Sequence, residues 1–65
     1  MVKKVSVIMT VRNSEKYISQ AIESFLDQSY KNFEFIIIDD HSDDSTYKIV
    51  NDFKKKDIRI KAYRN

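Results

Sequence analysis

Residues 33–46 read FEFIIIDDHSDDST, an apolar run from Phe33 to Ile38 that breaks into four carboxylates within six positions, Asp39, Asp40, Asp43 and Asp44. A short Phe- and Ile-rich run bounded by polar residues predicts a strand, Phe33 to Asp39, with apolar cover on both faces. Carboxylates crowded at its end repel one another and raise each other's pKa. Solvation, a helix N-terminus, a metal or a ligand's donor groups must offset that cost.

Working outward, VSVIMTV at 5–11 is a second β-branched run with little alternation, again a strand that calls for cover on both faces. Asn13 or Ser14 offers an N-cap after it, and Glu15 puts negative charge in a first turn. Ile18, Ala21, Ile22, Phe25 and Leu26 recur at three- and four-residue steps, predicting an amphipathic helix from about Glu15 to Gln28. Tyr30, in the polar interval that follows, is placed to pack underneath. Downstream, Ser42, Asp43 or Asp44 can cap a helix whose inward stripe is Tyr47, Val50 and Phe53, with Ile49. Lys54, Lys55 and Lys56 complement the dipole at its end. Ile58, Ile60 and Ala62, with Tyr63, alternate more clearly, as in a strand at a sheet edge or with a half-exposed face.

The order is β-α-β-α-β, which predicts a three-stranded parallel sheet with right-handed crossovers. Two crossovers in one direction put both helices on one side and leave the other bare. The chain therefore reads as the front half of a larger α/β domain, a single partial domain over residues 1–65, or as something that dimerises. Composition agrees with a globular fold: 42% hydrophobic, 34% charged, net charge +2, too small a balance to argue for nucleic-acid binding. Without cysteine there is no disulfide or zinc–thiolate framework, and without glycine no Walker-type or dinucleotide phosphate loop. The basic pair before the first strand does not make a signal peptide, since Ser6, Thr10 and Arg12 interrupt the apolar run. No stretch is long enough to span a membrane.

Ligands of open parallel sheets bind beyond the carboxyl ends of the strands. Here those ends bring Thr10, Arg12, Asp39 and Asp40 around one crevice. Asp43 and Asp44 are assigned to the start of the second helix. As a calcium loop the segment fails, because Ser45 stands where glycine is required and Asn51 where glutamate is. His41 and Ser42 are sequence neighbours and do not form a base–nucleophile pair. The lysine triplet reads as a solvated helix end, and the tyrosines as core or rim.

Val5 to Thr46, VSVIMTVRNSEKYISQAIESFLDQSYKNFEFIIIDDHSDDST, resembles the opening of the family 2 glycosyltransferases of the GT-A, Rossmann-like fold, and the agreement extends to Asn65. The pieces that carry it are VSVI, N-x-E-x-Y-I, S-F-L-x-Q-S and DD-x-S-x-D-x-T at matching intervals. The resemblance implies the nucleotide-binding segment of an enzyme that transfers sugar from a nucleotide-sugar, UDP-sugar above all, to an acceptor hydroxyl on a glycan or lipid-linked substrate. Thr10 then borders the base, Asp40 accepts from the uracil imide N–H, and Asp39 orients the loop or helps bind the nucleotide. Arg12 stands where tyrosine is usual; a guanidinium can stack on a base or pair with phosphate. His41 replaces a glycine, so a left-handed turn there carries a Cβ cost. The family's metal-binding D-x-D and catalytic base fall beyond residue 65, so the segment alone is expected to be inactive. The Mg²⁺ or Mn²⁺ of the full enzyme is expected to bind elsewhere. A cytoplasmic setting, at the membrane face for the whole enzyme, completes the implication. A receiver-like phosphorylation module and a non-catalytic dimerising fragment are the alternatives.

Overall fold

A computed structural model describes residues 5–27 and 32–65. The chain runs β1 (Val5–Val11), α1 (Ile18–Leu26), β2 (Phe33–Asp39), α2 (Thr46–Lys56) and β3 (Ile60–Arg64). All pairings are parallel and the order is β1-β2-β3, with Val11 opposite Asp39 and Asp39 opposite Arg64 at the carboxyl ends. This is one half of a Rossmann-type order. It differs from the receiver-type order, in which the first strand lies between the second and third.

Strand alternation decides what is buried. Phe33, Phe35, Ile37 and Asp39 of β2, with Ile60 and Ala62 of β3 and Val11 of β1, are buried under the helices. Ile18 and Ile22 of α1 and Val50 of α2 fill the same core, with Tyr47, Ile49 and Phe53 packed at its margin. The Phe25 ring stacks on Phe35 at 4.3 Å and meets Phe33 edge-on at 5.1 Å, geometries that add to plain area burial. The opposite sheet face carries Ser6, Ile8, Thr10, Glu34, Ile36, Ile38, Lys61 and Tyr63. Among the described residues, cover on both faces is thus not met: Ile8 is 65% exposed and Tyr63 56%. Both helices lie on one side, and β1 has β2 as its sole strand partner among the described residues.

The ends of three elements differ from the sequence expectation. α1 begins at Ile18, not Glu15, because the carbonyl of Ser14 accepts from both Tyr17 and Ile18 and closes a separate turn first. Neither helix has a side-chain cap bond at its N-cap residue, Tyr17 or Ser45. Ile58 lies outside β3 and is 91% exposed. There Asp57 accepts from the backbone N–H of Arg59 at 2.9 Å and from its guanidinium at 2.7 Å, forming a turn ahead of the strand. The Arg59 guanidinium also lies 4.8 Å over the Phe33 ring. The predicted packing of Tyr30 and the predicted helix end at Gln28 fall outside the described residues. Lys54, Lys55 and Lys56 do occupy the last turn of α2.

Candidate functional site

The loops after β1 and β2 are built against each other. Asn13 takes a positive φ of 46°, which turns the chain back toward the β2–α2 loop; asparagine is among the residues that tolerate this region. Its backbone N–H donates to Ser42 Oγ at 2.9 Å, and its side-chain Oδ1 accepts from Asp43 N at 2.8 Å. The N–H of Ser14 donates to Thr46 Oγ1 at 2.7 Å, and that of Glu15 to Asp44 Oδ2 at 3.3 Å. Glu15 in turn accepts from the N–H of Ser45 at 3.1 Å. The start of each helix is therefore tied to the loop preceding the other. Asn13, Ser14 and Glu15, which local reasoning assigns to α1 alone, are engaged across the cleft.

The four carboxylates separate into distinct environments. Asp39 is fully buried. Its Oδ1 accepts from the Ser42 hydroxyl, its Oδ2 accepts from Ser42 N at 3.2 Å, and Arg64 Nε lies 3.4 Å from Oδ2. Arg64 also donates to the Ser42 carbonyl at 2.8 Å and lies 5.1 Å over the Tyr47 ring. With its side chain enclosed, Asp39 acts on the crevice through the shape it gives the loop. Asp44 is assigned to the helix start, as the sequence suggested. It accepts from Thr46 N at 2.9 Å and from the Thr46 hydroxyl, and that side-chain bond, with backbone donors from Thr46 and Glu15, holds its carboxyl below the usual aspartate range. Asp43 is exposed.

Asp40 follows the strand and falls on the uncovered side of the sheet. Its N–H donates to the Val11 carbonyl at 2.8 Å, which fixes its backbone against the end of β1. His41 Nδ1 lies 3.0 Å from Asp40 Oδ1. That bond, with a further one from the Asn65 side chain and the charges of His41 and Arg12, lowers the Asp40 pKa against some desolvation. Thr10, Ile38 and Tyr63 form one row across the same face. The structure thus brings Thr10, Arg12 and Asp40 to a single open edge and sets Asp39 behind it. Tyr63 and Asn65, at the end of β3, join this edge and were missed as site residues. Strand parity places Tyr63 beside Thr10 and Ile38, a signal available once the register is known.

Among the described residues no group of three or more His, Asp or Glu side chains converges to hold a metal ion, and Asp39, Asp40 and Asp44 are each committed to different protein donors. A depression of about 600 Å³ lies at the other end of the sheet, lined by Leu26, Asp27 and Phe53 among others. It is remote from the strand carboxyl ends. Among the described residues no helix is long and apolar enough to cross a membrane.

Comparison with known proteins gives this edge its context. The chain is 48% identical over 59 residues to an uncharacterized glycosyltransferase of Haemophilus influenzae, covering 91% of this chain and 24% of the relative. It is 46% identical over 61 residues to the UDP-Glc:alpha-D-GlcNAc-diphosphoundecaprenol beta-1,3-glucosyltransferase WfaP of Escherichia coli, covering 94% of this chain and 24% of that protein. It is 39% identical over 62 residues to the GalNAc(5)-diNAcBac-PP-undecaprenol beta-1,3-glucosyltransferase of Campylobacter jejuni, covering 95% and 20%. The chain thus spans about a quarter or less of the length of these curated relatives. Residues 6–65 match the family model described as glycosyl transferase family 2. Fold, loop construction and this match agree, and the chain belongs to glycosyl transferase family 2.

Proposed function

We propose that residues 1–65 form the N-terminal, nucleotide-reading segment of an enzyme that moves a sugar from a UDP-sugar to a hydroxyl of a glycan or lipid-linked acceptor. The observation that carries this reading is Asp40, an accessible carboxylate at the carboxyl ends of parallel strands whose Oδ1 lies 3.0 Å from His41 Nδ1, a bond that favours its ionised form, with the Arg12 charge a smaller contribution. An ionised carboxylate only accepts hydrogen bonds, so it suits the imide N–H of uracil and disfavours cytosine, whose ring nitrogen at that position is itself an acceptor. Thr10 supplies a hydroxyl beside it. Arg12 supplies a planar cation able to stack on the base or pair with the diphosphate. Names of two relatives support the acceptor class, since both refer to diphosphate- or PP-undecaprenol; such acceptors would put the whole enzyme at the cytoplasmic membrane face. The Mg²⁺ or Mn²⁺ that would neutralise the leaving diphosphate, and the catalytic base, belong in this reading to protein outside this chain, so the segment alone would not catalyse transfer.

The test is a backbone NMR titration of the chain with UDP, with CDP as comparator. Saturable shifts at Thr10 to Asn13 and Asp39 to His41 are expected with UDP, with a weaker response to CDP. Asp40→Ala should weaken UDP binding by about tenfold, the loss of one hydrogen bond to a charged group. Equal responses to UDP and CDP, or an affinity indifferent to Asp40→Ala, would remove Asp40 from base recognition.

A further inference from the structure

His41 occupies a position that its backbone does not favour. Its φ is 59°, in the left-handed region where a Cβ costs about 1–2 kcal/mol and glycine is the default. Packing does not hold the side chain there, since the imidazole is 70% exposed. What the unusual conformation achieves is a contact between adjacent residues: Nδ1 comes within 3.0 Å of Asp40 Oδ1. An ionised carboxylate can only accept, so Nδ1 carries the hydrogen and the imidazole donates. That condition holds in one neutral tautomer and in the imidazolium alike, so the contact does not depend on the charge of the ring.

Each element around Asp40 supplies one group. His41 comes from its own loop, Arg12 from the loop after β1, and Asn65 from the end of β3. Asp39, the remaining neighbour, is turned inward onto Ser42 and Arg64. His41 is the group tied most directly to one oxygen. With Oδ1 engaged, the rotation of the carboxylate about its terminal torsion, otherwise broad, is restricted.

We infer that His41 is a positioning residue that fixes the Asp40 carboxylate through its ring N–H and so presents the remaining acceptor directions to a nucleobase. The assignment rests on the nucleotide reading above and adds to it the residue that orients the recognition group. A glycine at 41 would relieve the backbone and leave the carboxylate with the Asn65 side chain as its remaining hydrogen-bond donor; histidine accepts a strained backbone and gains a preset acceptor.

Two variants of this chain test it. His41→Gly removes the donor while suiting the backbone, so the fold is retained; His41→Asn tolerates the left-handed region and restores an amide donor. The Asp40 side-chain carboxyl is followed by carbon-13 NMR across an acid titration, and UDP affinity is measured at neutral pH. In His41→Gly the Asp40 midpoint should rise toward the ordinary aspartate value of 3.8, and UDP should bind roughly three- to tenfold more weakly. His41→Asn should recover part of both. Urea unfolding of His41→Gly should show equal or higher stability, the opposite of what loss of a structural residue would give. An Asp40 midpoint unchanged in His41→Gly overturns the proposal, as does unchanged UDP affinity when the wild type binds. A midpoint that moves while the wild type ignores UDP supports the positioning of Asp40 and overturns the nucleotide reading.

Discussion

Asp39→Asn is the substitution that most directly probes how the crevice is held. The change preserves shape and removes one charge and one acceptor from a fully buried site. Asp39 accepts from the backbone N–H and the hydroxyl of Ser42, and lies against Arg64. An asparagine can keep its oxygen toward Ser42 N and Arg64, which turns its NH2 toward Ser42 Oγ. That oxygen already accepts from Asn13 N, so the Ser42 hydroxyl hydrogen loses its acceptor. Hydrogen bonds to a charged group contribute about 1.5–3 kcal/mol and neutral ones about 0.5–1.5 kcal/mol, so downgrading two of them costs roughly 1–3 kcal/mol. The Arg64 contribution is discounted, because that side chain is about half exposed and solvent screens the pair.

That loss is large for a chain of 65 residues, whose whole stability at about 0.05–0.15 kcal/mol per residue is roughly 3–10 kcal/mol. Urea unfolding followed by far-UV circular dichroism reads it. With an m-value near ~1 kcal/mol/M for a small domain, the midpoint should fall by about 1–3 M with m unchanged. Ser42→Ala removes the same partner from the other side, so the two substitutions together should cost clearly less than their sum. A midpoint lowered by less than ~0.3 M, or strict additivity with Ser42→Ala, would refute the view that Asp39 organises the loop.

Thr46→Val should cost about 1–3 kcal/mol, because the buried hydroxyl accepts from Ser14 N and donates to Asp44. Hydrogen exchange at the Ser14 amide should accelerate beyond the global change, and unchanged local protection would argue against the cross-loop bond. Phe35→Ala, at the fully buried centre of the sheet, should remove about 3–5 kcal/mol and abolish a cooperative transition, whereas Ile36→Ala on the half-covered face should cost much less; equal losses would mean that both faces are covered alike. Asp44 has a lowered folded pKa, chiefly through its bond from Thr46. The stability it supplies is complete above its unfolded value and lost as pH falls through the lower folded one. The difference in urea midpoint between wild type and Asp44→Asn should therefore stay constant down to about the ordinary value of 3.8 and close below it. A gap that widens on acidification contradicts that sign.

The strands were legible because their apolar runs end sharply: Arg12 closes the first and Asp40 follows the second, and both observed strands keep those limits. Their order and parallel pairing followed from alternation with helices. The start of α1 was not legible, since Asn13, Ser14 and Glu15 look like local caps but bond to Ser42, Asp43, Asp44, Ser45 and Thr46, about thirty residues away. No short-range pattern distinguishes a polar residue that caps its own helix from one that reaches a neighbouring loop. Ile58 misled for a related reason. Its period-2 spacing with Ile60 is real, but the Asp57–Arg59 turn takes those residues out of the sheet.

The doubled aspartate shows how strand parity turns one residue type into two roles. Neighbouring residues of a strand point to opposite faces, and here one face is covered by helices while the other is open. Asp39 faces the helices, where a carboxylate is tolerated because Ser42 and Arg64 satisfy it. Asp40, one step on, reaches the open side, where His41, Asn65 and Arg12 keep it ionised without enclosing it. The second role depends on the first: the loop that carries His41 into its left-handed turn is the loop that Asp39 anchors through Ser42. A change at Asp39 should therefore weaken nucleotide binding by disturbing Asp40 from behind, together with a loss of stability. A change at Asp40 should weaken binding with stability nearly intact. Measuring urea midpoint and UDP affinity on both variants separates the two. Matching stability losses at the two positions would show that parity does not divide them.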